Sequence, residues 1–134
     1  MRVKQFLTGS FLSLILLVSC SKKSDDVSKV ISIEGVWTGK YSVLSGPYDA
    51  YYSFKIKAGG TMELLDAAHQ KKGEGVWELE NGTIFSATFT DLSSGNTVYS
   101  VIANFKKDSG TLDGTWGNGE KEYGGGYWYM DKEN

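Results

Sequence analysis

The sequence predicts an all-β protein: one small antiparallel up-and-down barrel of about eight strands. Three observations carry this expectation. From Gly35 onward, apolar residues recur at nearly every second position, the period of a strand with one buried face. The 134 residues include 17 glycines, 4 tryptophans, 8 tyrosines and 6 phenylalanines but 1 proline, a composition suited to strands and tight turns. Every segment has a single apolar face, so every segment borders the same core. Strands in sequence order bury such faces by curling into a barrel; a two-sheet sandwich is the competing arrangement.

The elements sort as follows. Strand one (35–44) turns Trp37, Tyr41 and Val43 inward, and Thr38, Lys40 and Ser42 outward. Strand two (49–58) turns in Tyr52, Phe54, Ile56 and Ala58; strand three (61–66) turns in Met62 and Leu64. Strand four (73–80) offers Trp77 and Leu79 against outward Glu74, Glu78 and Glu80. Strand five (83–90) contributes Phe85, Ala87 and Phe89; strand six (97–106) contributes Tyr99, Val101, Ala103 and Phe105. Strand seven (111–117) offers Leu112, Gly114 and Trp116. Strand eight (123–131) offers Gly126, Trp128 and Met130, with Tyr127 and Tyr129 on its other face.

The connections alternate in length. Those after strands two, four and six are tight: Ala58-Gly59-Gly60, Asn81-Gly82 and Lys107-Asp108-Ser109-Gly110. Asn-Gly is a strong hairpin signal. The other four are longer and carry Tyr48, His69, Asn96 and Glu120. In a meander, alternate connections share a pole, so tight turns close one end and long loops ring the other. Each tryptophan also follows a glycine by two residues: Gly35/Trp37, Gly75/Trp77, Gly114/Trp116 and Gly126/Trp128. Residues i and i+2 share a face, so the glycines are expected to make room for the indoles and to let strands bend. Gly60–Leu79 and Gly110–Met130 read as two copies of one hairpin pattern.

The first thirty residues have a different character. A cationic head, Met1-Arg2-Val3-Lys4, precedes an uncharged run from Phe6 to Val18. Such a run is shorter than the ~20 residues of a membrane-spanning helix and has the length of a signal-peptide core. It ends in Leu17-Val18-Ser19-Cys20, which resembles the lipobox of bacterial lipoproteins. That resemblance implies a signal peptide over 1–19, acyl chains such as palmitate on Cys20, and a cell-envelope, outer-membrane location. Residues 20–31 then form a lipidated flexible tether ahead of a barrel domain at 32–134. Cys20 is the one cysteine, so no internal disulfide can brace the domain. Removing 1–19 takes away Arg2 and Lys4 and no acid, which moves the net charge from −2 to −4. An acidic domain lacks the basic face that nucleic acid requires.

Gly35-Val36-Trp37 resembles the Gly-x-Trp signature at the start of lipocalin and related calycin barrels. The resemblance implies a lipocalin-like barrel closed at the tryptophan end, holding a small ligand at the other. Lipocalins also stack a late-strand arginine on that tryptophan; here Lys121 and Lys132 are the available cations, since the one arginine, Arg2, lies in the signal.

Strand direction places Tyr41, Tyr52, Leu64, Phe89, Tyr99 and Trp116 toward the mouth, with Trp77 and Trp128 deeper. Aromatic walls carrying phenol hydroxyls suit a small amphipathic or apolar ligand. The alternative is a side-chain-filled barrel acting through its loops as a protein-interaction or hydrolase-inhibitor module, with Pro47, Tyr48, His69, Lys71, Lys72, Asp91 and Lys121 exposed there. One histidine and no thiol outside the lipobox cannot assemble a base–nucleophile pair or a two-histidine metal site, so neither catalysis, cofactor nor metal is expected. The membrane is the expected partner, through lipid on Cys20. Cys20→Ser should abolish metabolic acyl labelling and release the protein from the membrane fraction; unchanged fractionation would refute the anchor.

Overall fold

The computed structural model describes residues 30–134. The signal segment, Cys20 and the tether through residue 29 lie outside the described residues. Eight strands follow: β1 (Gly35–Tyr41), β2 (Ala50–Lys57), β3 (Thr61–Leu65), β4 (Lys71–Glu80), β5 (Ile84–Asp91), β6 (Thr97–Lys106), β7 (Thr111–Asn118) and β8 (Gly126–Lys132). Each pairs antiparallel with the next, and β8 pairs with β1 from Trp37↔Lys132 to Tyr41↔Trp128. The fold is a closed eight-stranded up-and-down barrel.

Period-2 alternation sets what faces inward. Trp37, Phe54, Phe85, Leu112, Trp128 and Met130 have no exposed surface. The strand-eight register follows the expected alternation: Gly126, Trp128 and Met130 are buried, and Tyr127 is exposed. The strand ends differ. β1 stops at Tyr41, Val43 is 59% exposed, and Ser42 is buried instead. The Ser42 amide donates to the Tyr127 carbonyl at 2.8 Å, and its hydroxyl accepts from the Tyr127 amide at 3.1 Å. That double bond rotates the chain out of its alternation. Ala58 belongs to the exposed turn after β2, and β8 begins at Gly126, because Gly119–Gly125 forms the loop.

The glycines serve a purpose other than making room for the indoles. A Cβ on Gly75 would lie 2.2 Å from the Thr88 carbonyl oxygen, and one on Gly114 would lie 1.8 Å from that of Ile102. Neighbouring strands pass where the side chain would begin. The glycines are therefore corners at which the sheet curls tightly enough to close. The two hairpin copies also differ in register. The Trp77 amide bonds the Gly60 carbonyl at the tight-turn pole, whereas Trp128 pairs with Gly114 in mid-barrel.

At that pole the chain is plugged. Ile33 is buried, and its carbonyl accepts the Trp37 indole N–H at 2.8 Å. The Ile31 amide bonds Lys107 in the β6–β7 turn, so the segment from residue 30 arrives at the closed end. Lys132 stands opposite Trp37, where the lipocalin resemblance implies an arginine, but its ammonium donates to the Ser32 carbonyl at 2.8 Å.

The four long loops all leave the opposite pole, yet two fold back down the outside. Tyr48 packs edge-on against Tyr129 of the outer face, with ring centroids 5.2 Å apart. The β3–β4 loop is tied by Asp66, which accepts from the Ala68 and Gln70 amides. It carries His69 to Glu133, with Nε2 and Oε2 3.0 Å apart. Glu133 also accepts from the Thr38 hydroxyl. His69 thus leaves the mouth, where its loop position had placed it, because Glu133 lies beside β1 on the outer wall.

Two expectations follow. Trp37→Ala removes a fully buried indole and should cost about 3–5 kcal/mol in urea unfolding. The Thr38 hydroxyl, then His69, hold the Glu133 carboxyl below its usual range. A lowered carboxylate stabilises the fold above its ordinary pKa and ceases to do so as pH falls through the lowered value. Glu133→Gln should therefore flatten the loss of thermal stability between about pH 5 and 3.

Candidate functional site

At the long-loop pole the inward side chains leave a shallow open cup of about 80 Å³. Its lining draws on seven strands: Tyr41 from β1, Tyr51 and Tyr52 from β2, Leu64 and Leu65 from β3, Lys72 from β4, Asp91 at the end of β5, Tyr99 from β6 and Trp116 from β7. Five of the residues singled out by strand direction meet here: Tyr41, Tyr52, Leu64, Tyr99 and Trp116. The other three do not line it. Phe89 is buried beneath, against Phe54 at 5.3 Å and Tyr99 at 6.0 Å. Trp128 fills the barrel centre against Phe54 and Tyr52. Trp77 sits at the closed pole, where its indole N–H bonds the Lys57 carbonyl at 2.8 Å.

Two lining residues, Tyr51 and Leu65, escape the sequence pattern. Leu65 turns inward and is buried because the β3–β4 pairing slips: Leu64 faces Gly73, but Leu65 faces Lys71. Lys72 is the extra residue of that bulge, which re-aims side chains as bulges do. It joins the cup, while Lys71 turns out to pair with Glu74 at 2.7 Å. Two adjacent leucines before a turn were the signal for the slip.

The walls are rings set at steep angles. Tyr41 meets Tyr52 at 61° and 4.9 Å, and Trp116 at 81° and 5.7 Å; Tyr99 meets Trp116 at 76° and 5.8 Å. Edge-to-face contacts of this kind stabilise aromatic pairs and fix their orientation. Trp116 is locked further by its indole N–H on the Ser42 carbonyl at 2.8 Å. The Gly125 backbone lies against its ring: a Cβ there would be 2.4 Å from the indole.

The polar groups divide into satisfied and unsatisfied. All four indole N–H groups donate to backbone carbonyls. The buried Ser42, Ser53 and Ser100 hydroxyls are each bonded. Tyr52 is different. It is 9% exposed, and its hydroxyl makes no hydrogen bond among the described residues. Burial first, then Tyr41, Tyr99 and Asp91, push its pKa well above the usual phenol value, so it stays protonated. Asp91 places Oδ1 on the Ser93 amide and hydroxyl, capping the 3₁₀ turn Leu92–Ser94, and its other oxygen accepts no described bond.

A wider groove runs over the outside of β3–β6 past Val76, Leu92 and Val98. Its flanking charges satisfy one another as Lys57–Glu63 and Lys71–Glu74 pairs, leaving no convergent free groups. No cluster of three metal-ligating side chains occurs among the described residues. Compared with protein-family models, curated proteins and solved structures, the chain matches none.

An unbonded buried hydroxyl costs roughly 1–3 kcal/mol of desolvation. Tyr52→Phe keeps the ring and removes that cost. Chemical denaturation should show stability held or raised, whereas loss of a structural hydrogen bond would lower it.

Proposed function

We propose that this chain is a membrane-tethered binding protein that receives one end group of a larger molecule in the tyrosine-lined cup. The observation that carries the reading is volume. The barrel interior is occupied by Trp37, Phe54, Phe85 and Trp128, all fully buried, and the mouth cup holds about 80 Å³. Small-molecule pockets usually run to ~300–1,000 Å³, and even a benzene-binding cavity has about 150 Å³. An enclosed lipocalin-type ligand is therefore disfavoured relative to a molecule that inserts its tip and stays largely outside.

The rim supports contact with something larger than the cup. Ser42 and Leu44 in the β1–β2 loop bond the Tyr127 and Gly125 carbonyls, which joins two mouth loops into one ledge. Val43, Leu44, Tyr123 and Tyr127 on that ledge are each more than half exposed. Loops held by a rigid scaffold commonly carry recognition. Polarity fits a tethered receptor as well. If lipid on Cys20 anchors the chain, the tether reaches the closed pole at Ile31, and the cup faces away from the membrane. Nothing in the cup pairs a base with a nucleophile, so the reading is binding without catalysis.

The four tryptophans report on this directly in the ¹⁵N-indole spectrum of the full chain. Short end-group fragments should shift the Trp116 signal alone. Dodecanoate, a long amphiphile, should leave Trp37 and Trp128 unmoved. Shifts at those two buried indoles on adding dodecanoate would mean that the barrel opens around a ligand, and would refute the cup reading.

A further inference from the structure

We infer that the end group taken by the cup is an organic ammonium head, primary or methylated. The inference rests on the proposed end-group reading and adds the chemical class. Four features of the cup bear on the head group: two favour positive charge and two set its polarity and size. The first is the wall of Tyr41, Tyr52, Tyr99 and Trp116, whose steep mutual angles make them the sides of a box rather than one stack. Ring faces carry negative quadrupole charge, and boxes of Tyr and Trp are suited to ammonium groups. The second is the Tyr52 hydroxyl, buried at the cup and unbonded among the described residues, a polar atom whose partner has to come from outside. The third is Asp91, whose second carboxylate oxygen accepts no bond among the described residues while the first caps Ser93. The fourth is size: about 80 Å³ accommodates a small head group of roughly five heavy atoms.

Lys72 also lines the cup and carries the opposite charge. It enters through the β4 bulge, while Asp91 is the one anionic side chain of the lining and, after burial and the neighbouring phenols, acts on Tyr52 to disfavour its ionisation. An anion seated there would meet the Asp91 carboxylate and the ring faces. An ammonium would meet complementary charge at Asp91 and at the ring faces, opposed by Lys72. The two charged residues therefore make opposite predictions for the two ligand classes, and this gives the test its sign.

Three probes of nearly one shape separate charge from fit: tetramethylammonium, tert-butanol and pivalate. Each is titrated into the full chain at low ionic strength, following the Trp116 indole. Tetramethylammonium should bind at least about tenfold more tightly than either of the others. Butylammonium, with a primary head on an alkyl stem, distinguishes a lysine-like from a choline-like preference. Asp91→Asn, which keeps an oxygen for the Ser93 cap, should weaken tetramethylammonium about tenfold. Lys72→Ala should tighten it several-fold, and Tyr52→Phe should weaken butylammonium, whose N–H can donate to that hydroxyl, without lowering the melting temperature. Equal or stronger binding of pivalate or tert-butanol, or tighter cation binding in Asp91→Asn, overturns the ammonium assignment and leaves the end-group reading standing. Silence from all probes at Trp116 overturns both.

Discussion

The pairing of β1 with β8 is the constraint on which the rest of the molecule depends. A sheet of eight strands left open would expose two rows of unpaired backbone groups. Closure from Trp37↔Lys132 to Tyr41↔Trp128 removes both edges and sets the interior width. Gly39 lies in this seam opposite Met130, so close to Tyr129 that a Cβ would overlap its carbonyl oxygen. Gly75 and Gly114 meet the same condition elsewhere around the ring. Eight strands enclose a space that side chains can fill. Here large aromatic residues fill it, and the domain is held by that packing without a disulfide. The small cup is what remains where the filling stops at the mouth.

Polar bookkeeping inside the barrel is nearly complete, and this gives its exception meaning. Each tryptophan places its N–H on a carbonyl, and these bonds link distant parts of the chain: Trp77 to Lys57, Trp116 to Ser42, Trp128 to Thr115. On the outer face, Thr88 and Ser100 share a hydroxyl bond, and Ser100 also reaches the Gly119 carbonyl. A structure that satisfies buried groups this consistently, yet leaves the Tyr52 hydroxyl unbonded among the described residues, breaks its own rule at the mouth of the barrel. Departures of that kind collect at functional sites, where stability is surrendered for recognition.

The outside of the barrel is shaped by loops that return along it. The β3–β4 loop lies along the outer wall and ends in the His69–Glu133 contact; Tyr48 lies on Tyr129; the β7–β8 loop lies against Trp116 and bonds Ser100. These returns leave the mouth shallow and its ledge formed mainly by the β1–β2 and β7–β8 loops. Four ion pairs occur among the described residues, Lys106–Asp113 and Lys57–Glu63 among them. Such exposed pairs contribute little stability. Lys72 and Asp91 are the two charged residues that line the cup.

Strand number, strand order, the inward face of every strand and the polarity of the two ends were legible in the sequence. Alternation is a local property: a residue and its second neighbour share a face whatever the distant chain does, and Asn-Gly marks a turn by its own backbone preferences. The buried register of β8, with Trp128 and Met130 in and Tyr127 out, was readable for that reason. The same parity gathered Tyr41, Tyr52, Leu64, Tyr99 and Trp116 at one mouth. What tertiary structure alone decided depends on contacts far apart in sequence. The bulge that brings in Leu65 and Lys72 is a mismatch between two strands, and the paired leucines of one strand do not say where the other slips. His69 goes to the outer wall because Glu133, 64 residues later, is there to receive it. Trp77, Phe89 and Trp128 belong to the core rather than the cup because depth is set by strand tilt and closure. Filling is likewise a matter of volume, the balance between enclosed space and all the side chains that enter it, and no single strand contains that sum.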